Sequence, residues 1–308
     1  MTKMIATRDA YGEALKELGE INENIVVLDA DLSGSTKTSV FQKAFPNRFF
    51  NVGIAEQNLI GTAAGLATAG KIPFASSFAM FATGRAFEII RNSVCYPRLN
   101  VKIAATHAGL TVGEDGATHQ ALEDISLMRT LPNMVVLCPA DAVETKQCIF
   151  KAVEYDGPVY IRLGRAKVPV IFDENYEFQL GKGVQLKDGK DITIIATGVM
   201  VERALRASER LMEEGISARV INISTIKPID KDIIIKAAKE TKGIITVEEH
   251  SIIGGLGSAV AEVVAESHPT KVIRIGTMDT FGESGDGFEL LDKYGLSVDN
   301  IVNKAKLL

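Results

Sequence analysis

Short apolar runs recur along this 308-residue chain, separated by longer stretches of helical spacing, and this alternation limits what it can fold into. Residues 25–28, 101–105, 134–137 and 159–161 have the length and branching of strands, while residues 7–18, 54–69 and 142–153 read as helices. Strands that alternate with helices assemble into largely parallel sheets covered by helices. A second alternation follows. Residues 192–196, 218–223, 243–247 and 271–275 read as strands, with helices over 201–214, 230–240, after Gly257 and near 287–294. Between the two series lies a polar, Gly-bearing stretch, KVPVIFDENYEFQLGKGVQLKDGK. The expected organisation is two α/β domains, residues 1–170 and 191–308, joined by a linker over 171–190. The length suits two domains of ordinary size.

Composition excludes several classes. Hydrophobic content is 46% and charged content 24%, as in a globular chain. No apolar run approaches the roughly 20 residues of a membrane span. The opening MTKMIATRDAYGEAL has no apolar core and no cleavage site of the secretory kind. Cys95, Cys138 and Cys148 are odd in number and lie in apolar surroundings, so buried reduced thiols are expected. A net charge of −5 without a basic stripe argues against nucleic acid, but leaves room for a local basic site that holds a phosphorylated metabolite.

The segment RFFNVGIAEQNLIGTAAGLATAG holds a pointed polar residue. Residues 48–52 read as a strand and residues 54–69 as a helix ending at Gly70. Glu56 therefore falls in the first helical turn of a strand-to-helix junction, where α/β proteins build their sites. A carboxylate there is also an ordinary partner for the helix dipole. A second polar cluster, THAGLTVGEDGATHQALED, lies downstream and strengthens the functional reading.

VGIAEQN, SSFAMFATGRAFEIIRNS and THAGLTVGEDGATHQ, in that order and spacing, resemble the pyrimidine-binding domain of transketolase, a thiamine diphosphate enzyme. The likeness runs over most of the chain to DTFGESGDGFELLDKYGL and covers the C-terminal half of a full transketolase. It implies a thiamine diphosphate pyrimidine-binding domain followed by a transketolase C-terminal-like domain. The diphosphate and its Mg²⁺ or Ca²⁺ would then be held by a separate N-terminal subunit, with two copies of each chain forming a heterotetramer. The implied activity is transfer of a two-carbon ketol unit from a ketose phosphate to an aldose phosphate, in the pentose phosphate pathway and in the cytoplasm.

On this resemblance Glu56 would hydrogen-bond N1′ of the aminopyrimidine and drive the tautomer that acts as base. Phe78 and Phe81 would form an aromatic slot for that ring, although a Phe pair three apart also suits plain packing. Gly84 replaces a further aromatic of the family, so the wall there is thinner unless Phe87 fills it. His107, after a strand, would touch the donor ketose and handle protons; Ala108 follows it where the family often has Asp. Asp115 would contact substrate hydroxyls. Arg8, Ser35, His119 and Arg162 would hold the sugar phosphate, while Ser35 and Thr36 equally suit helix capping. No metal ligand is expected from this chain.

Related readings share these motifs. 1-Deoxyxylulose-5-phosphate synthase carries similar GxDGxTHQ segments, and beta subunits of the pyruvate dehydrogenase type have the same two domains. A non-catalytic assembly subunit is a third possibility. Two glycine-rich stretches are expected to be structural: Gly285-Asp286-Gly287, which superficially resembles the start of the diphosphate metal motif, and the turn in HSIIGGLGSAVAE.

Overall fold

The computed structural model describes residues 3–173 and 175–308. Strands β1 (Met4–Ala6), β2 (Ile25–Asp29), β3 (Phe49–Asn51), β4 (Ile72–Phe78), β5 (Lys102–Thr106), β6 (Val135–Leu137), β7 (Val159–Arg162) and β8 (Lys167–Pro169) form in the first part. Then come β9 (Val184–Lys187), β10 (Ile192–Ala196), β11 (Ala218–Asn222), β12 (Thr225–Lys227), β13 (Ile244–Ser251) and β14 (Val272–Thr277). One seven-stranded sheet has the order β12-β6-β7-β5-β4-β2-β3, and a five-stranded sheet has the order β14-β13-β10-β11-β9. Within the larger sheet only the β12–β6 pair is antiparallel; within the smaller one, only β9–β11.

Helices cover both faces of the larger sheet, which is why β2, β5 and β6 are buried at every residue. Helix α1 (Thr7–Ile21) places Tyr11, Ala14, Leu15 and Leu18 on one stripe, packed with Phe41 and Phe74. On the opposite face, α4 (Glu56–Thr68) contributes Leu59, Ile60 and Ala63 to a core with Ile90 and Met128. Between β2 and β3 run two short helices, α2 (Ser33–Thr36) and α3 (Ser39–Ala44).

Two departures from the sequence reading matter. The stretch 171–190 is not all linker, because β9 within it joins the second sheet. And β12, from the second half of the chain, pairs with β6 of the first sheet. Its three residues are too few to announce a strand, and their pairing is set by tertiary packing. The first core accordingly extends into the second half through Ile221, Ile223, Ile226 and Val260.

Parallel pairing brings the C-terminal ends of β2, β4 and β5 to one edge. The chain reverses its direction of travel across the sheet at β2, since β3 lies on one side and β4 on the other. Crevices in α/β sheets open at such reversals.

Candidate active site

Glu56 opens α4 as its first residue and is only 1% exposed. A buried carboxylate needs a partner. Among the described residues it has one: Arg85 Nη1 donates to Glu56 Oε2 at 2.5 Å. Arg85 ends a π-helical turn, Phe81–Arg85, that follows β4. The turn folds its half-exposed side chain back so that the guanidinium stands 5.0 Å from the centre of the Phe81 ring.

From Phe81 the aromatic and polar groups run on without a break. The Phe81 ring lies 5.2 Å from His119, edge to face, and 6.0 Å from Phe78, stacked. Phe78 in turn stacks on His107 at 3.8 Å. Phe78 ends β4 and His107 comes just after the end of β5, while His119 follows a 3-10 segment, Leu110–Asp115, that carries Asp115 exposed at its end. Phe87 packs against the core, so the wall beside Gly84 stays thin.

The cleft beyond, of about 470 Å³, is lined by Arg8, Ser35, Lys37, Phe78, His107, Asp115, His119 and Arg165. Arg8 Nη1 donates to the Ser35 carbonyl at 3.0 Å and meets His107 Nε2 at 3.1 Å. A guanidinium only donates, so His107 Nε2 accepts, and the ring proton sits on Nδ1, 2.9 Å from Thr106 Oγ1. Burial first, then Arg8 and Arg165, push the His107 pKa down to about 3, so the ring is neutral at physiological pH. Arg8 Nε is buried without a hydrogen-bond partner among the described residues, a donor still to be satisfied.

Two family models match the chain: the transketolase pyrimidine-binding domain over residues 3–170, and the transketolase C-terminal domain over residues 181–301. A putative transketolase C-terminal section from Methanocaldococcus jannaschii is 59% identical over 300 residues, which cover 96% of this chain and 94% of that protein. The chain belongs to the transketolase family. It corresponds to the C-terminal section of a split transketolase. A 6-deoxy-6-sulfo-D-fructose transketolase subunit from a Clostridium species is 44% identical, covering 97% of this chain and 92% of that one. A split gene transketolase, solved as an inactive β4 tetramer, superposes with a TM-score of 0.92 at 60% identity, covering 98% of this chain and 97% of that chain.

Transketolases depend on thiamine diphosphate, and the residues here fit its pyrimidine end. A buried carboxylate held by one exchangeable side chain, with an aromatic ring beside that side chain, is what an aminopyrimidine needs from a protein. Among the described residues, no group of three or more His, Cys, Asp or Glu side chains is placed to hold a metal. Asp286 of the GDG sequence caps the helix Gly287–Lys293, accepting from Phe288 N at 2.9 Å and Glu289 N at 3.1 Å. No described helix is long and apolar enough to cross a membrane.

One expectation needs correcting. Arg162 does not line the cleft that holds Arg8, His107 and His119. It is 6% exposed, donates through Nε to Asp124 Oδ2 at 2.8 Å and through Nη2 to the Glu249 carbonyl at 2.8 Å, and so ties the two halves of the chain together. As the last residue of β7 it is still within the sheet; Arg165, three residues on, has cleared the edge and reaches the cleft. The signal was available, since residues just past a strand's C-terminal end are the ones that reach such a crevice. Both expected histidines line the cleft: His107 lies against Arg8 and Phe78, and His119 against Phe81. Lys37 lies in no motif, and Arg85, although inside SSFAMFATGRAFEIIRNS, had no role to mark it.

Proposed function

We propose that this chain carries the aminopyrimidine and sugar-phosphate half of a split transketolase. It would transfer a two-carbon ketol unit from a ketose phosphate to an aldose phosphate. One observation carries this reading: an unbroken run of contacts leads from the buried Glu56 carboxylate through Arg85, Phe81 and His119 to a cleft that holds Arg8, Lys37 and Arg165. Bound there, thiamine diphosphate supplies the nucleophilic carbon and the electron sink. Glu56 holds a proton at N1′ of the pyrimidine after exchanging its Arg85 partner for the ring. Phe81, with Phe78 behind it, forms one wall of the slot. His119, beside Phe81, faces the reacting carbons and moves protons there. Asp115 orients substrate hydroxyls. Arg8, Ser35, His107 and Arg165 hold the terminal anion, because donors converge on that end and the neutral His107 adds no charge of its own.

The metal, Mg²⁺ or Ca²⁺, and the diphosphate fall to an N-terminal partner subunit, in a heterotetramer of two chains each. The homologous chain solved as an inactive β4 tetramer supports this division. The location would be cytoplasmic and the pathway that of the pentose phosphates. The test mixes the purified chain with its N-terminal partner, thiamine diphosphate, Mg²⁺, xylulose 5-phosphate and ribose 5-phosphate, and follows sedoheptulose 7-phosphate. Product in the mixture and not with either chain alone is expected. A stable cofactor-binding complex that makes no such product would overturn the sugar assignment and turn attention to donors such as the sulfo-sugar of the Clostridium relative.

A further inference from the structure

Lys37 is the least expected member of the cleft. It lies between α2 and α3 with φ +70°, a conformation uncommon for a residue with a side chain. The neighbours on either side are tied to one carboxylate. Asp29, at the end of β2 and fully buried, accepts from Thr36 Oγ1 at 2.7 Å and Thr38 Oγ1 at 2.9 Å through Oδ2, and from Leu32 N at 2.6 Å through Oδ1. The loop is thus knotted on both sides of Lys37, leaving it no freedom to relax.

Helix α1 is shaped to receive it. A Cβ at Gly12 would lie 2.8 Å from both the Lys37 Cβ and its carbonyl oxygen, so only glycine lets the two backbones approach this closely. Near the start of the same helix, Asp9 Oδ1 meets Lys37 Nζ at 3.2 Å and holds the ammonium at the cleft mouth. A surface lysine free to choose its rotamer would need neither the knot nor the glycine.

We infer that Lys37 sets the charge preference of the anion end, selecting a ketose with a dianionic phosphate terminus over one with a monoanionic sulfonate. This rests on the anion end proposed above. A phosphate monoester carries close to two negative charges above pH 7, a sulfonate one. The attraction of a fixed cation scales with the ligand's charge, so removing Lys37 costs the phosphate more. Arg8 and Arg165 serve both termini with directional hydrogen bonds, whereas an ammonium acts as a compact charge that rewards the extra unit.

The test uses the complex with the N-terminal subunit. KM and kcat are measured for a phosphate-terminated and a sulfonate-terminated ketose donor at saturating acceptor, for the wild type, Lys37→Met and Lys37→Gly. The glycine variant suits φ +70° and removes the cation without straining the loop. In both variants KM is expected to rise about tenfold for the phosphate donor and about threefold for the sulfonate donor, with kcat within about twofold of wild type. Equal shifts for the two donors, or a shift in the methionine variant alone, would overturn the inference. A second readout separates it from the reading beneath it: binding of inorganic phosphate and of methanesulfonate to the isolated chain, followed by NMR at His107. If the wild type binds neither, the anion end itself is wrong. If the wild type prefers phosphate and both variants prefer it equally, the anion end stands and Lys37 does not set its preference.

Discussion

Glu56 and Glu248 are both buried glutamates, one opening the helix α4 and the other within β13, and they are bound in opposite ways. Glu248, in β13, accepts from Leu256 N at 2.7 Å and Gly257 N at 2.8 Å, so the chain's own carboxylate fills the start of the helix Leu256–Ser267. His250 Nδ1 stands 3.7 Å from it. Glu56 makes no such commitment to backbone amides; its described partner is the half-exposed end of Arg85. A carboxylate satisfied by main chain belongs to the architecture. One satisfied by an exchangeable side chain is available to a ligand. The comparison also disposes of the glycine-rich turn in HSIIGGLGSAVAE as a phosphate site, because Glu248 already occupies it.

The comparison breaks most easily at Glu56. In the complex with its N-terminal partner, Glu56→Gln is expected to lower turnover by about 10³-fold while leaving the thermal unfolding curve in place. Retained turnover would reduce Glu56 to an ordinary first-turn residue. Glu248→Ala should do the reverse. Stranding two buried amides is expected to cost about 3 kcal/mol in urea unfolding, with little change in activity per folded molecule; an unaltered midpoint would show that those amides find water instead.

His107 provides a test through pH. Its folded pKa, about 3, lies below the ordinary 6.5, so the unfolded chain takes up the proton first as pH falls. Stability from this group is present above pH 6.5 and is lost as pH drops toward 3. Between pH 7 and 5 the wild type should lose about 2 kcal/mol more than His107→Asn. Equal losses would mean that the ring is protonated in the fold. The smallest effect belongs to Arg85→Met, expected to destabilise the isolated chain by about 1 kcal/mol or less, because half of that side chain faces water. A cost like that of Glu248→Ala would make the Arg85 contact architectural as well.

Much of this was legible in the residues. The alternation of runs yields both sheets, and the placement of Glu56 in a first turn follows from the apolar strand before it and the Ala-rich helix after it. His107 was readable for the same reason, as the residue just past a buried strand. Arg162 misled because an arginine beside a strand end resembles a cleft arginine until its buried partner Asp124, distant in sequence, is placed. Lys37 was illegible because its role depends on a positive φ and on a glycine in another helix. Neither leaves a periodic trace. β12 was missed because three residues cannot signal a strand whose partner lies far back in the chain.

That last strand bears on how the chain is made. Among the described residues the outer edge of β6 is paired only by β12, so the sheet on which α4 and Glu56 pack stays incomplete until synthesis has passed Lys227. Until then a row of unpaired amides and carbonyls is open to any passing strand, including one from a sister chain. Cutting the chain at the visible seam between its domains would make that exposure permanent. The two halves are separable in outline but not in birth, and expression of the first alone should yield aggregates instead of a smaller subunit.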